Sequence, residues 1–212
     1  MRLYLSSFRL GTDPSAFVRM AGTGARVAVV ANSIDALDAA DRGERVAREL
    51  DALTALGFQA SEIDLRQVDD PEAAFSGVDA LWVRGGNLFV LRHALAVSGA
   101  DSVLVRMLRD DAIVYAGYSA GPCVLAPSLR GLEECDPIDD VARAYGAEAR
   151  FDGLGVLPYA IVPHIDSPEH PESAMLEQVA DAYRRDDTPH RLLRDGEALV
   201  VEGEETYVVG SR

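Results

Sequence analysis

Short apolar runs alternate with longer amphipathic segments along the first 120 residues of the chain. Five runs have the length of strands: RLYLSS, ARVAVVAN, FQASEIDLR, VDALWVRGG and AIVYAG. Continuous apolar stretches such as VAVVA and AIVYAG are typical of strands buried on both faces. Most segments between them predict helices, one beginning at Asp13–Pro14, one ending near Gly57 and one capped by Asn87. This alternation predicts an α/β fold of three layers, with a mostly parallel sheet and helices on both of its faces.

The pattern is looser after residue 128. The acidic and irregular stretch 128–155 predicts a loop with a short helix. VLPYAIVPH predicts a further strand, and SPEHPESAMLEQVADAYRRD predicts a helix. Near the C-terminus we expect two or three short antiparallel strands, turning at Asp195–Gly196 and Glu202–Gly203. The chain has no repeat and no linker-like segment, so its length predicts a single domain over residues 1–212.

Composition excludes several classes of function. The net charge of −15 argues against nucleic acid and against anionic membranes as partners, because both require a basic surface. The chain has no lysine, which excludes Schiff-base chemistry and a P-loop. Its two cysteines, Cys123 and Cys135, lack the spacing of a zinc site or a disulfide framework. With no apolar run long enough for a signal peptide or a membrane span, we expect a cytoplasmic protein.

The pentapeptide Gly117-Tyr-Ser119-Ala-Gly121 is the strongest chemical signal in the sequence. It follows a predicted strand and precedes an apolar, helix-like segment, which is the setting of a nucleophile elbow. There a serine occupies a tight turn with its hydroxyl exposed above the sheet. An inert serine in a glycine-rich connection is the alternative, because short motifs often occur by chance.

A nucleophilic serine needs a base, and His164 follows the predicted strand YAIVPH. The carboxyl ends of parallel strands share one edge of a sheet, so His164 is expected near Ser119. The other histidines are less well placed: His93 lies within a predicted helix, His170 lies in a loop and His190 begins a late strand.

Two further parts of a hydrolase site have candidates. An oxyanion hole needs two converging N–H groups, and Ala120 and the Gly85–Gly86 turn offer them. The carboxylate that orients the histidine stays open on the residues alone, between Asp195 and Glu197 near a late strand and Asp136, Asp139 and Asp140 in the acidic loop. That loop, residues 131–140, is also a candidate lid over the active site.

Taken together, LWVRGGNLFVLRHAL, VYAGYSAGPCVLAP and VPHID resemble the peptidase E (aspartyl dipeptidase) family of serine peptidases, which has the architecture of class I glutamine amidotransferase domains. The resemblance extends from the first strand to about residue 205. It implies a triad of Ser119, His164 and Asp195, with Gly86 and Ala120 as oxyanion donors. Asp195 is the residue nearest to the glutamate that is usual in the family.

The resemblance also implies a hydrolase of small peptides that requires no metal or cofactor, with a homodimer as a candidate assembly. Family members prefer an N-terminal aspartate and place basic residues on the helix after the histidine. Here that helix carries Met175, Leu176 and Val179, and its arginines come only at Arg184 and Arg185. Three alternatives follow: a peptidase E homologue with a different amide or ester substrate, a homologue that binds without hydrolysis, and an α/β-hydrolase esterase with Asp139 or Asp140 as the acid.

Overall fold

A computed structural model describes residues 1–210; residues 211 and 212, the end of the predicted domain, lie outside the described part. Seven strands form one sheet in the order β3-β2-β4-β5-β1-β8-β9. The first five are mutually parallel, whereas β8 and β9 run antiparallel at one edge. Two more strands, β6 and β7, form a separate parallel pair. The strands are β1 (Arg2–Ser6), β2 (Arg26–Val30), β3 (Gln59–Glu62), β4 (Ala80–Val83), β5 (Val114–Tyr118), β6 (Ala160–Val162), β7 (His190–Leu192), β8 (Ala198–Glu202) and β9 (Glu205–Val209).

Helices fill the connections between the strands. They are α1 (Ser15–Ala21), α2 (Ala39–Ala55), α3 (Pro71–Phe75), α4 (Leu88–Val97), α5 (Ala100–Arg109), α6 (Ala120–Cys123), α7 (Asp139–Tyr145) and α8 (Ser173–Arg185). Asn87 caps α4, as predicted, because its side-chain oxygen accepts from the N–H groups of Phe89 and Val90. The cap of α2 is Asp38, which accepts from two N–H groups of its first turn.

Two apolar cores lie on the two faces of the sheet. One contains apolar residues of α1 and α2 against Trp82 and Val29, and the other contains residues of α4, α5 and α8 against Leu81 and Leu5. Alternate residues of β4 therefore serve opposite cores, as a central strand buried on both faces requires. This confirms the predicted mostly parallel α/β architecture.

The predicted antiparallel character of the C-terminal strands is right for β8 and β9 and wrong for β7. His190–Leu192 pairs in parallel with β6, because the chain passes through α8 between the two strands and returns in the same direction. The pairing is important for the site, since β6 leads directly into His164 and β7 leads towards Asp195.

Within residues 1–210, no single helix is long and apolar enough to cross a membrane. Helices α4 and α5 reach the necessary length and composition only as a pair, and that pair is bent by 93°.

Candidate active site

Ser119 lies in the sharp turn between β5 and α6. Its backbone has φ 52° and ψ −109°, a conformation that L-residues rarely adopt and that is costly unless the surrounding structure imposes it. The Ser119 N–H donates to the carbonyl of Ser6 at the end of the neighbouring strand β1, at 3.2 Å. A strained serine at the carboxyl edge of a central strand is the geometry of a nucleophile elbow.

The two glycines of the pentapeptide have one packing partner in common. A Cβ atom on Gly117 would lie 2.4 Å from the carbonyl oxygen of Val83, and a Cβ atom on Gly121 would lie 2.5 Å from the same oxygen. The last residue of β4 therefore lies against both sides of the turn. Any side chain at either position would force β4 and β5 apart, which explains the glycine spacing around Ser119.

His164 and Asp195 form a short contact at the same edge of the sheet. The distance from His164 Nδ1 to Asp195 Oδ1 is 2.6 Å, and the His164 side chain is only 1% exposed. Since Nδ1 is directed to the carboxylate, Nε2 is the nitrogen available as a base. Burial lowers the pKa of His164 despite the opposing effect of Asp195, so the imidazole is neutral at neutral pH.

Ser7, at the end of β1, connects these two residues and was missed by the sequence analysis. Its hydroxyl donates to Asp195 Oδ1 at 2.8 Å and accepts from the main-chain N–H of His164, also at 2.8 Å. Ser7 is completely buried, and His164 has a left-handed φ of 58°. The position of Ser7 directly after a strand was a usable signal, although serine is common at strand ends.

Backbone N–H groups of the Gly85–Gly86 turn and of Ala120 are available to form an oxyanion hole. Around the turn after β4, Asn87 N–H donates to Ser33, and the carbonyls of Arg84 and Gly85 accept from the Ser33 hydroxyl. Within residues 1–210, by contrast, the N–H groups of Gly85, Gly86 and Ala120 have no hydrogen-bond acceptor outside regular helices and strands.

The glycine turn approaches the serine closely. A Cβ atom on Gly85 would lie 2.9 Å from the Cβ of Ser119. Gly86 has a φ of 141°, and a Cβ there would meet Ser33 at 2.8 Å. The turn therefore depends on glycine at both positions, and Gly85 packs directly against Ser119.

His170 lies flat against His164. The ring centroids are 3.5 Å apart and the planes differ by 2°, while Phe8 contacts both rings edge-on. Together with Glu172, these two histidines form the one group in the described chain whose donor atoms, within 4.8 Å of one another, could hold a metal. Parallel stacked rings do not point their lone pairs at a common position, so the arrangement seen is not a ready metal site.

A cavity of about 570 Å³ opens above Ser119. Ser119, His164 and the Gly85–Gly86 turn line one part of it, and four arginines line other parts, namely Arg9, Arg45, Arg48 and Arg84. The Ser119 hydroxyl forms no hydrogen bond within residues 1–210. Hydrogen bonds between nucleophile and base are often long before substrate binds, so this arrangement is compatible with an acyl-transfer site.

The basic residues of the cavity come from elements that the sequence analysis did not consider. Helix α8 turns Leu176 and Val179 into the core, and its two C-terminal arginines do not reach the cavity. Arg45 and Arg48 come instead from α2, where their i, i+3 spacing is also typical of an ordinary solvated helix face.

Other candidate acids have structural partners. Glu197 accepts from the Arg194 N–H at 2.9 Å, and Asp140 forms an ion pair with Arg143. Asp136 accepts from the Leu88 N–H at the start of α4. None of residues 131–140 lines the cavity, so the structure gives no support to the predicted lid.

Comparison with known proteins extends this picture to the whole chain. Residues 25–209 match the model of Peptidase family S51. The chain is 33% identical over 196 residues to Peptidase E of Streptomyces coelicolor, covering 89% of this chain and 73% of the relative. It is 27% identical over 176 residues to "Probable alpha-aspartyl dipeptidase" of Drosophila melanogaster, covering 81% and 69%.

Solved structures agree on the fold. A protein of Listeria monocytogenes EGD-e, provisionally described as a peptidase E, superposes with a TM-score of 0.80 at 19% identity, covering 100% of this chain and 98% of that one. A peptidase from an acI-B1 Actinobacterium gives a TM-score of 0.68 at 15% identity, covering 99% and 87%. Because the family match spans most of the chain, the protein belongs to peptidase family S51 and is a peptidase of the peptidase E type.

Proposed function

We propose that the protein hydrolyses small peptides through a triad of Ser119, His164 and Asp195. The observation that carries this proposal is the 2.6 Å contact of His164 Nδ1 with Asp195, at the same sheet edge as a strained serine. His164 Nε2 takes the Ser119 proton as the hydroxyl attacks the peptide carbonyl, and then delivers it to the leaving amine. Water hydrolyses the acyl-enzyme through the same base in a second step.

The oxyanion that forms in each step requires N–H donors at its own position. In this proposal the Gly86 and Ala120 N–H groups donate to it, since neither is committed elsewhere in the described chain. Asp195 keeps the imidazole in the productive tautomer and stabilises the imidazolium, and Ser7 holds the carboxylate in place.

The charges around the cavity favour substrates with a carboxylate, including Asp-X dipeptides. Glu49 pairs with Arg84 at 3.3 Å and Glu44 pairs with Arg48, which leaves Arg9 and Arg45 as the cations of the cavity lining without an ion pair in residues 1–210. Arg45 has no ion pair within residues 1–210. On a chain with a net charge of −15, such a grouping of cations is a local feature and attracts an acidic ligand.

Hydrolysis of matched Asp-X and Asn-X dipeptides tests both parts of this proposal. We expect Ser119→Ala to abolish cleavage and labelling by a fluorophosphonate probe. We expect Arg45→Gln to raise KM for Asp-X and to leave Asn-X cleavage nearly unchanged. Labelling without serine dependence would refute the triad, whereas equal effects on both peptides would refute the role of Arg45.

Three other sequence-based expectations remain predictions: one domain over the whole chain, a cytoplasmic location and a homodimer. A small peptide as ligand, with neither nucleic acid nor membrane as partner, belongs to the same proposal.

A further inference from the structure

The peptide between Gly85 and Gly86 carries one of the proposed oxyanion donors, yet its own two residues do not fix its orientation. Glycine adopts positive and negative φ about equally well, so the peptide plane can rotate between two glycines at low steric cost. In one orientation the Gly86 N–H faces the cavity, and in the opposite one the Gly85 carbonyl oxygen does. A carbonyl oxygen there would repel an oxyanion, so the first orientation needs a contact that selects it.

Ser33 supplies that contact. Its hydroxyl lies 3.0 Å from the Arg84 carbonyl oxygen and 2.9 Å from the Gly85 carbonyl oxygen, so its single proton is shared between them. The Ser33 carbonyl accepts from the Asn87 N–H at 2.9 Å, at the other end of the turn. Ser33 is 2% exposed and does not line the cavity, so the two carbonyls are directed into the protein.

The planarity of the peptide bond then determines the direction of the N–H groups. The peptides of residues 1–210 are trans, and in a trans peptide the carbonyl and the N–H point in opposite directions. With the Gly85 carbonyl held by Ser33, the Gly86 N–H is directed away from Ser33. The Arg84 carbonyl directs the Gly85 N–H away in the same manner. Both glycines line the cavity, and neither N–H has an acceptor outside regular helices and strands of the described chain.

A buried polar network holds Ser33 itself in place. Ser33 lies in a single turn of 3-10 helix that directly follows β2. Its neighbour Asn32 is completely buried and donates to Asp35 at 2.7 Å and to Asp64 at 3.0 Å. Arg42 of α2 pairs with Asp35 at 2.9 Å. The Ser33 hydroxyl is therefore fixed by the fold before any substrate binds.

We propose that Ser33 is a positioning residue of the oxyanion hole, acting through the Gly85–Gly86 peptide that its hydroxyl holds. The proposal rests on the function proposed above. The glycines allow the turn to approach Ser119, and Ser33 selects which side of the peptide an oxyanion meets.

Steady-state kinetics of Ser33→Ala on an Asp-X dipeptide test this role. We expect kcat to fall about 10- to 100-fold and KM to change less than about twofold, because the hole binds the oxyanion more strongly than the ground-state carbonyl. The Arg84 guanidinium also donates to the Gly85 carbonyl, so the loss should be smaller than for outright removal of a donor. Labelling of Ser119 by a fluorophosphonate should slow in parallel, since the phosphonyl oxygen occupies the same hole.

Ser98→Ala is the matched control. The Ser98 hydroxyl also lies between two backbone carbonyls, those of Ala94 at 2.8 Å and Leu95 at 3.3 Å, but it does not line the cavity. This variant should keep wild-type kcat and labelling rate. Ser33→Cys retains a small side chain with a weaker donor and should fall between wild type and Ser33→Ala. Equal losses in Ser33→Ala and Ser98→Ala would overturn the proposal.

The pH profile separates an effect on the oxyanion hole from an effect on the base. The acid limb of kcat/KM reports His164, so Ser33→Ala should lower the plateau and leave the midpoint of the limb unchanged. A fall in activity accompanied by a shift of the midpoint would contradict the proposed role, because the variant would then act through the base.

Fluorophosphonate labelling and a crystal structure of Ser33→Ala complete the test. A wild type that is not labelled refutes the triad and the function proposed above. A wild type that is labelled, with the same rate in Ser33→Ala, refutes the role of Ser33 alone. In the crystal structure of Ser33→Ala, a rotated Gly85–Gly86 peptide supports the proposal, and a peptide in its original single orientation overturns it.

Discussion

Replacing Ser7 by alanine removes one hydroxyl that holds two members of the proposed triad. The hydroxyl donates to Asp195 at 2.8 Å and accepts from the His164 N–H at 2.8 Å. A hydrogen bond to a charged group contributes about 1.5–3 kcal/mol. If that stabilisation is lost fully in the transition state, kcat falls roughly 10- to 100-fold. The buried N–H left without an acceptor should also lower the free energy of unfolding by about 2 kcal/mol.

Steady-state kinetics over a range of pH distinguish positioning from general damage. Asp195 favours the protonated form of His164, and its charge is better exposed to the imidazole when Ser7 no longer donates to it. The acid limb of kcat/KM should therefore move to higher pH in Ser7→Ala, while KM changes little. Ser6→Ala is the control, because Ser6 is equally buried but its hydroxyl contacts only the carbonyls of Phe8 and Glu197. If both variants lose activity to the same extent, or if Ser7→Ala keeps wild-type kcat, the reasoning is wrong.

Three further predictions concern the oxyanion hole, the base and a buried acid. Gly86→Ala should lower kcat about 10²- to 10³-fold, because the new Cβ would clash with Ser33 and displace the turn. Gly43→Ala is the control, because a Cβ there meets open space and kcat should not change. Stopped assays of peptide hydrolysis measure kcat for both variants. The midpoint of the acid limb of wild-type kcat/KM should lie below 6.5, since the pKa of His164 is lowered and activity is lost as pH falls through it; a midpoint above 6.5 would contradict this. Burial raises the pKa of Asp136 from 3.8 to about 7. Its contribution to stability is therefore fully present below pH 3.8 and is lost as the pH rises to about 7. In thermal melts, the stability of Asp136→Asn relative to wild type should be greater at pH 8 than at pH 5.

Much of the architecture could be predicted from the periodicity of apolar residues and from helix-capping residues. Continuous apolar strands and the Asn87 cap depend on interactions over a few residues, so a local pattern is enough to predict them. The direction of β7 was not readable, because it depends on where the chain returns after α8 rather than on the sequence of the strand itself.

The residues of the candidate site also fall into those that the sequence predicts and those that it does not. Ser119 and Gly86 are marked by motifs whose glycines are required by nearby backbone, so they stand out in the sequence. Ser7 and Arg45 carry no such mark, since their proposed roles depend on residues distant in the chain, up to 188 positions away for the bond from Ser7 to Asp195. A serine after a strand, or an arginine on a helix, is usually an ordinary surface or packing residue, and only the fold separates the exceptions.

Both pentapeptide glycines pack against the Val83 carbonyl, so they are required by the fold and not by catalysis. Gly117 and Gly121 are required for β4 and β5 to lie side by side, whether or not any bond is cleaved. Ser119 is not required for this packing, and a single nucleotide substitution could replace it in a related protein while the sheet stays intact. The glycine spacing in a relative is thus a record of shared architecture, and the residue at its centre is the part that reports whether that relative can still form an acyl-enzyme.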